Sequence, residues 1–229
     1  MDNELALSKL LTTLKAWGIT LSSELAATAL THSSYAYEHD TDSNERLEFL
    51  GDAVLELIVS ESLFGTYPTE SEGELTRRRS KLVCEPSLAR CAQALDLGPA
   101  LRLGRGEEAQ GGRGRPALLA DTVEALLGAV YLTGGLAASR LLVEHLLAPY
   151  FSGQLEPEAD YKTTLQEKLQ ANGHGDIKYQ LLKSEGPDHA RQFTVGVFVD
   201  STLRAKGTGT SKKEAEQAAA GELLQKLSK

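Results

Sequence analysis

The sequence predicts a multidomain fold in which an all-α domain is followed by a small α+β domain of order α-β-β-β-α. Apolar residues recur at every third or fourth position through most of the first 150 residues, which is typical of helices that bury one face. In RQFTVGVFVD (191–200) they alternate instead, as in a strand with one buried face. We therefore predict a helical domain over residues 1–150, a linker over 151–159 and the α+β domain over 160–229.

The individual elements follow from the same patterns. Helical spacing predicts helices at 3–17, 22–31, 44–64, 73–95, 118–133 and 135–148. APYFSGQLEPEAD (148–160) then has two prolines, a glycine and three acids without periodicity, which indicates a boundary. A helix at 161–172 precedes three strands, in KYQLLKSEG (178–186), RQFTVGVFVD and TLRAKGTG (202–209). Ser211 and Glu214 have the spacing of a capping box, so the last helix begins after Ser211.

Charge and composition limit the function classes. The chain has a net charge of −8, but residues 160–229 carry +2 and the remainder −10, so only the second domain favours a polyanion. No apolar run approaches the ~18 residues of a membrane span, and the acidic N-terminus does not resemble a signal peptide. Cys84 and Cys91 have no His or Cys cluster around them, so we expect buried, reduced thiols. These features predict a cytoplasmic protein without a membrane partner, and we expect no organic cofactor.

An acidic lane runs along the predicted helix at 44–64. At 3.6 residues per turn, the lane contains four carboxylates, Glu45, Glu48, Asp52 and Glu56. Leu55, Val59 and Phe49 flank it, which is unusual for a solvated face. Both an ordinary acidic surface and a functional site remain open on this helix alone.

A second helix carries two further acids. In DTVEALLGAVYLT (121–133), Asp121 and Glu124 are the only charges and lie on one face, with Gly128 one turn later, where another helix could approach closely. A helix that is apolar all round is buried, and buried carboxylates need partners. We therefore predict that the two sets of acids face each other around a hard cation, Mg²⁺ or Mn²⁺, that supports phosphodiester hydrolysis. A structural Ca²⁺ site is the alternative, although no EF-hand loop is present.

The chain resembles the bacterial ribonuclease III family over nearly its whole length. The matching segments are NERLEFLGDAVL (44–55), THSSYAYEH (31–39), EGELTRRRSKLV (72–83), LGRGEEAQGG (103–112) and LADTVEALLGAVYL (119–132). The segments DYKTTLQEKLQ, EGPDHARQFTV and GTGTSKKEAEQAAA resemble the double-stranded-RNA-binding domain of that family. The resemblance implies a ribonuclease III endonuclease domain that hydrolyses double-stranded RNA with Mg²⁺, for which Mn²⁺ can substitute. It also implies 5′-phosphate and 3′-hydroxyl ends, processing of ribosomal RNA precursors and other structured transcripts, and a homodimer.

The resemblance also implies roles for individual residues of the first domain. The metal ligands would be Glu48, Asp52, Asp121 and Glu124, and the catalytic residues Asp52, Glu124 and Glu45, with Glu45 credited with substrate binding or site support. Phe49 would lie in the dimer interface. Glu56 matches no family ligand, so it supports the site or belongs to the acidic surface. Arg105, Arg113 and Arg115 lie in a Gly-rich loop that could contact phosphate or be solvated.

In the second domain, Lys212 and Lys213 occupy the first turn of the last helix, where cations oppose the helix dipole. Free backbone N–H groups and two ammonium groups there would make a phosphate site, and ordinary solvated lysines are the alternative. The resemblance implies RNA contacts for Thr163, Gln166, Glu167, Pro187, His189, Lys212, Lys213 and Gln217. Thr163 is alternatively a helix cap. Two competing functions are a non-catalytic RNA-binding protein, which would be expected to have lost the acids, and a deoxyribonuclease.

Overall fold

The computed structural model describes residues 3–151, 161–171, 176–186 and 191–227. Its contacts divide the chain into two compact units, 1–158 and 159–229. Most of the predicted linker lies outside the described residues, so the domain limits 1–150, 151–159 and 160–229 stay predictions. Pro187 and His189, which were predicted to contact RNA, also lie outside the described residues.

The first unit is helical. Its helices are α1 (Asn3–Ala16), α2 (Ser23–Ala29), α3 (Ser33–His39), α4 (Glu45–Thr66), α5 (Glu72–Leu82), α6 (Glu85–Ala94), α7 (Arg105–Ala109) and α8 (Pro116–Phe151). Short 3-10 turns occupy Gly98–Ala100 and Gly112–Gly114. One core is shared by α1, α2, α4, α6 and α8, with fully buried side chains that include Leu14, Ile58, Leu88, Leu126 and Leu142.

The single helix predicted over residues 73–95 is wrong, because the chain forms α5 and α6 there. Cys84 has an extended backbone (φ −74°, ψ 155°), and Pro86 lies in the first turn of α6. Proline is favoured at a helix start because it has no backbone N–H and its ring restricts the preceding residue. Helices α3 and α7 were not predicted, since seven and five residues are too few to establish a periodicity.

Helix α8 joins the two predicted helices of 118–133 and 135–148. Gly135 interrupts it with a φ of +65° and a ψ of −164°, a backbone geometry that a side chain would strain. The second segment also continues through Pro149 to Phe151. By length and composition alone α8 could cross a membrane. However, Leu126, Leu127 and Val130 are buried within the protein core, so the structure accounts for its apolar character.

Two glycines determine how closely α4 and α8 approach each other. A Cβ on Gly51 would overlap the carbonyl oxygen of Glu124 and lie 2.9 Å from the backbone nitrogen of Gly128. A Cβ on Gly128 would overlap the carbonyl oxygen of Leu47. The two helix backbones are therefore in direct contact, as predicted from Gly128, and the acids of both helices come to the same place.

The second unit contains α9 (Tyr161–Ala171), β1 (Ile177–Glu185), β2 (Gln192–Val199), β3 (Thr202–Gly209) and α10 (Lys212–Lys226). The strands form an antiparallel sheet in the order β1-β2-β3. Val197 and Val199 of β2 share a core with Leu165 of α9 and with Ala219 and Leu223 of α10. The predicted α-β-β-β-α order and the apolar face of β2 are thus confirmed.

The cap of α10 differs in one respect from the predicted capping box. Ser211 accepts the expected hydrogen bond from the backbone N–H of Glu214 at 3.1 Å. The carboxylate of Glu214 does not bond back to Ser211. It accepts instead from the backbone N–H and the hydroxyl of Thr210, both at 2.7 Å. These bonds lower the pKa of Glu214 and secure the helix start that presents Lys212 and Lys213.

Candidate active site

Three carboxylates from α4 and α8 meet in one cluster. Glu48, Asp121 and Glu124 each offer one carboxylate oxygen, and these oxygens lie within 4.8 Å of one another. All three side chains are partly buried. The backbone contact at Gly51 and Gly128 makes this distance possible, since it brings α4 against α8 one turn from the acids.

The acids raise one another's pKa values. Burial, followed by the charges of Asp52, Asp121 and Glu48, raises the pKa of Glu124 from 4.5 to about 7. Burial, followed by the charges of Asp121, Glu45 and Asp52, also raises the pKa of Glu48. A half-buried site that repels its own negative charges is suited to a divalent cation, and an all-oxygen donor set suits a hard ion such as Mg²⁺.

Asp52 and Glu45 lie beside the cluster and not within the group of three. Asp52 is exposed one turn after Glu48, and it is close enough to raise the pKa values of both Glu48 and Glu124. Glu45 is the first residue of α4 and accepts a hydrogen bond from the Ser43 hydroxyl at 2.9 Å. The structure thus brings together all five acids that the sequence predicted for the site, with three at its centre.

Glu56 has a different environment. Its carboxylate lies 3.6 Å from the guanidinium of Arg79 in α5, and Arg79 also donates a hydrogen bond to the Ser60 hydroxyl at 2.9 Å. Glu56 therefore helps to attach α5 to α4. Of the two roles considered from the sequence, acidic surface or site support, the first fits its position.

Two residues near the site were missed by the analysis of motifs. Burial and the charge of Glu85 raise the pKa of Asp121, whereas the charge of His32 lowers it. His32 is the N-cap of α3, where its Nδ1 accepts from the backbone N–H of Ser34. His32 lies in THSSYAYEH (31–39), a segment that resembles the family, but nothing in the sequence related His32 or Glu85 to Asp121.

The Gly-rich loop is held mainly by its own arginines. Arg113 donates to the carbonyl oxygens of Gly98, Pro99 and Leu101 at 3.0, 3.1 and 2.7 Å. Arg115 pairs with Glu107 at 2.6 Å. These contacts show that Arg113 and Arg115 stabilise the loop. Arg105 is exposed, so the choice between phosphate contact and a solvated side chain stays open for it alone.

In the second unit, most of the predicted RNA-binding residues that are described lie on the surface. Thr163, Gln166 and Glu167 are exposed on α9, and Lys212 and Lys213 are exposed at the start of α10. Gln217 is partly buried, and its side-chain oxygen accepts the backbone N–H of Lys162 at 3.1 Å. This bond ties α9 to α10, so Gln217 has a structural role besides its predicted one.

Comparisons with known proteins identify the family of the chain. A family model described as Ribonuclease-III-like matches residues 22–150, and one described as double-stranded RNA binding motif matches residues 161–227. The chain belongs to the ribonuclease III family. Ribonuclease 3 of Pelotomaculum thermopropionicum is 53% identical over 207 residues, which cover 88% of this chain and 86% of that protein. Ribonuclease 3 of Bacillus cytotoxicus is 52% identical over 215 residues, which cover 92% and 88%.

A solved structure extends the agreement to the fold of the first unit. The nuclease domain of ribonuclease III from Campylobacter jejuni is 37% identical, with a TM-score of 0.58, over 63% of this chain and 97% of that domain. Its description refers to a flexible region involved in dimer formation. Family membership makes the present chain an endoribonuclease of double-stranded RNA, with a helical nuclease domain followed by a double-stranded-RNA-binding domain.

The raised pKa of Glu124 predicts that the metal-free protein loses stability as the pH rises. Because the folded-state pKa, about 7, exceeds the ordinary value of 4.5, the stabilising effect is complete below pH 4.5 and is lost as the pH passes through 7. Glu124→Gln resembles the protonated acid at every pH. In EDTA, we therefore expect the Tm of the wild-type protein to fall below that of Glu124→Gln between these pH values. Adding Mg²⁺ at high pH should raise the Tm of the wild-type protein more than that of Glu124→Gln. If the Tm of both proteins changed with pH in the same way, the prediction would be contradicted.

Proposed function

We propose that this chain hydrolyses both strands of double-stranded RNA at the carboxylate cluster, with Mg²⁺ as the cofactor and Mn²⁺ as a possible substitute. The observation that carries the proposal is the meeting of Glu48, Asp121 and Glu124, whose carboxylate oxygens lie within 4.8 Å of one another, in a site where burial and the charges of neighbouring carboxylates raise the pKa values of all three. Asp52, on the exposed side of the same site, completes the proposed set of metal ligands.

The chemistry needs a nucleophile and a stabilised leaving oxygen. A divalent ion at such a site lowers the pKa of a water molecule and offsets negative charge on the phosphate. Glu48, Asp121 and Glu124 would hold the ion together with Asp52 on the exposed side, and exposed Glu45 would be accessible to the substrate. Attack of water on phosphorus breaks the bond to the 3′ oxygen, which takes up a proton. The products carry 5′-phosphate and 3′-hydroxyl ends, and we propose precursors of ribosomal RNA and other structured transcripts in the cytoplasm as substrates.

The second unit would select the duplex by its shape. A-form RNA presents a wide, shallow minor groove with 2′-hydroxyls, and phosphates across the narrow major groove. Exposed Thr163, Gln166 and Glu167 of α9 supply groups for 2′-hydroxyls, and Lys212 and Lys213 supply the phosphate contact. Pro187, His189 and Gln217 are proposed contacts on the family resemblance alone.

Replacing Lys212 and Lys213 by alanine should weaken duplex binding without changing its sequence preference. Each lost phosphate contact should also reduce the salt dependence of binding, by about one unit in the slope of log K against log salt. The measurement is duplex affinity at several salt concentrations. Lys226→Ala is the matched control, because Lys226 lies at the opposite end of α10 and pairs with Glu222. An unchanged slope in the double variant would exclude these lysines as phosphate contacts.

We also propose a homodimer formed through α4. Three large apolar side chains of this helix are exposed in the single chain, namely Phe49 at 81%, Phe64 at 74% and Leu57 at 54%. Leu57 and Phe64 also border a groove of about 610 Å³ between α4 and α5, which includes Leu75. Exposed apolar groups around a groove are typical of a protein interface. A second copy that inserts its Phe49 would bury this surface.

Phe49→Asp should convert the dimer to a monomer, because a buried carboxylate without a partner is strongly unfavourable. Analytical ultracentrifugation of the variant should show the monomer mass, and cleavage should be reduced. Tyr37→Asp is the control, since Tyr37 of α3 is 92% exposed and lies on another helix. Dimerisation of Phe49→Asp at the wild-type concentration would remove Phe49 from the proposed interface.

The experiment that tests the proposed function is cleavage of a long RNA duplex in Mg²⁺ by the wild-type protein and by Glu124→Ala. A DNA duplex of equal sequence serves as the substrate control, because 2′-hydroxyl contacts require RNA. Binding without cleavage by the wild-type protein would favour a non-catalytic RNA-binding protein. Equal cleavage of DNA would favour a deoxyribonuclease.

A further inference from the structure

Within the second unit, the three-stranded sheet has one face that neither α9 nor α10 covers. Helices α9 and α10 pack against the face that contains Val197 and Val199. The opposite face contains Leu182 of β1, Phe198 of β2 and Leu203 of β3. Leu182 and Leu203 are 41% and 39% exposed. Each of the three strands thus contributes one large apolar side chain to the uncovered face.

These side chains form one contiguous surface around Gly196. A Cβ at Gly196 would lie 2.7 Å from Cδ1 of Leu203, 3.0 Å from Cδ1 of Leu182 and 3.2 Å from Cε2 of Phe198. The three apolar groups therefore converge over Gly196. We call this surface, formed by Leu182, Phe198 and Leu203 around Gly196, the sheet patch. Single exposed apolar residues are common, whereas a joined group of them indicates an interaction site.

Cations border the sheet patch on both edge strands. Lys206 of β3 lies opposite Gly196 in the strand register, and Lys178 of β1 lies opposite Phe198. Lys183 of β1 lies opposite Thr194. Two of these lysines have acidic neighbours towards the strand ends, Lys178 with Asp176 at 2.8 Å and Lys183 with Glu185 at 2.7 Å. Lys206 has no ion-pair partner within the described ranges, and it lies directly beside Gly196 at the centre of the sheet patch.

We propose that the sheet patch docks a partner protein through a segment that is both apolar and acidic. Burial of Leu182, Phe198 and Leu203 would drive the contact, and acidic side chains at its border would pair with Lys206 and its neighbours. A second copy of the chain fits less well, because it would bring the same cations together. Duplex RNA also fits less well, because phosphates gain nothing from the apolar centre. The proposed RNA-binding residues that the structure describes lie on α9 and α10, which pack on the other face.

In the test, a random library of displayed peptides is selected for binding to the full-length protein. The enriched peptides are then synthesised, and their binding to the protein is measured. We expect enrichment of sequences that combine Leu or Phe with Asp or Glu. Their addition to full-length protein with labelled leucine methyl groups should shift the signals of Leu182 and Leu203. Enrichment of basic or uncharged sequences, or shifts elsewhere only, would overturn the proposal.

Variants separate the sheet patch from the rest of the unit. Leu203→Ser and Lys206→Glu should each weaken binding of the peptide by about tenfold, as expected for central interface groups. Both variants should retain cleavage of duplex RNA. Leu181→Ser is the matched control and should bind normally. Leu181 is 46% exposed on β1, next to Leu182, but it lies opposite Val195, on the helix side of the sheet. Shifts of the Leu182 and Leu203 signals caused by duplex RNA, or by raising the protein concentration alone, would assign the patch to RNA or to a second copy and so overturn the proposal.

Discussion

Glu124→Ala should reduce cleavage of duplex RNA in Mg²⁺ by about 10³-fold or more, equivalent to roughly 4 kcal/mol in the activation barrier. The residue supplies one of the three converging oxygens and has the largest burial among the acids with raised pKa values. Its replacement would remove a proposed metal ligand and should leave the helices in place. Cleavage rates at saturating Mg²⁺ measure the effect, and duplex binding in Ca²⁺ should be unchanged.

The stability of the Glu124→Ala protein distinguishes lost chemistry from lost folding. Removing one of several repelling carboxylates should leave the Tm of the metal-free protein at neutral pH equal to or above that of the wild type. Glu56→Ala is the matched control, because Glu56 lies on the same acidic lane but pairs with Arg79. It should retain cleavage close to the wild-type rate. Undiminished cleavage by Glu124→Ala, or an equal loss in Glu56→Ala, would contradict the assignment of the site.

Gly51→Ala should unfold the first unit at a lower temperature and also impair cleavage. The new Cβ would overlap the carbonyl oxygen of Glu124 and press on the backbone nitrogen of Gly128 at 2.9 Å, so α4 and α8 must separate. Overpacking between two backbones costs about 3 kcal/mol or more, because neither can rotate away as a side chain can. For a unit of this size that corresponds to a fall in Tm of roughly 10 °C. Separation of the helices would also move Glu48 away from Asp121 and Glu124.

Gly65→Ala provides the control for this substitution. Gly65 lies in the same helix, and a Cβ there would meet nothing within 4 Å. Alanine is favoured over glycine within a helix by roughly 0.5–1 kcal/mol, so Gly65→Ala should melt slightly higher than the wild type. Thermal unfolding and cleavage rates of both variants decide the prediction. If Gly51→Ala retained the wild-type Tm and rate, direct backbone contact between α4 and α8 would be excluded.

Several features of the site could be predicted from local sequence because they depend on helical periodicity. The acids of α4 fall on one lane at 3.6 residues per turn, and Asp121 and Glu124 are conspicuous as the only charges on an apolar segment. Gly128 indicated a close helix contact, and its partner Gly51 lies in the helix that carries the other acids. The strands of the second unit were likewise predictable, because β2 has an alternating apolar pattern.

Other features depend on contacts between segments that are distant in the chain. The place of Glu56 in the acidic lane does not by itself assign the residue to the site or to the surface. Its ion pair with Arg79, a residue of another helix, decides for the surface. Arg113 could have met phosphate, yet it donates to three backbone carbonyls of a neighbouring turn. The break between α5 and α6 depends on the backbone of Cys84, where local helical spacing continued without interruption.

By itself, the sequence determined the division into a helical and an α+β domain, the order of the elements in the second domain and the identity of the acids, because each is recorded in short-range spacing. The RNA-binding role of the second domain followed from the family resemblance. Only the tertiary structure decided which acids converge, how far their pKa values rise and which face of the sheet α9 and α10 cover. These properties depend on burial and on distances of a few ångströms between helices and strands. Such distances result from the packing of the whole unit, and periodicity along one element does not contain them.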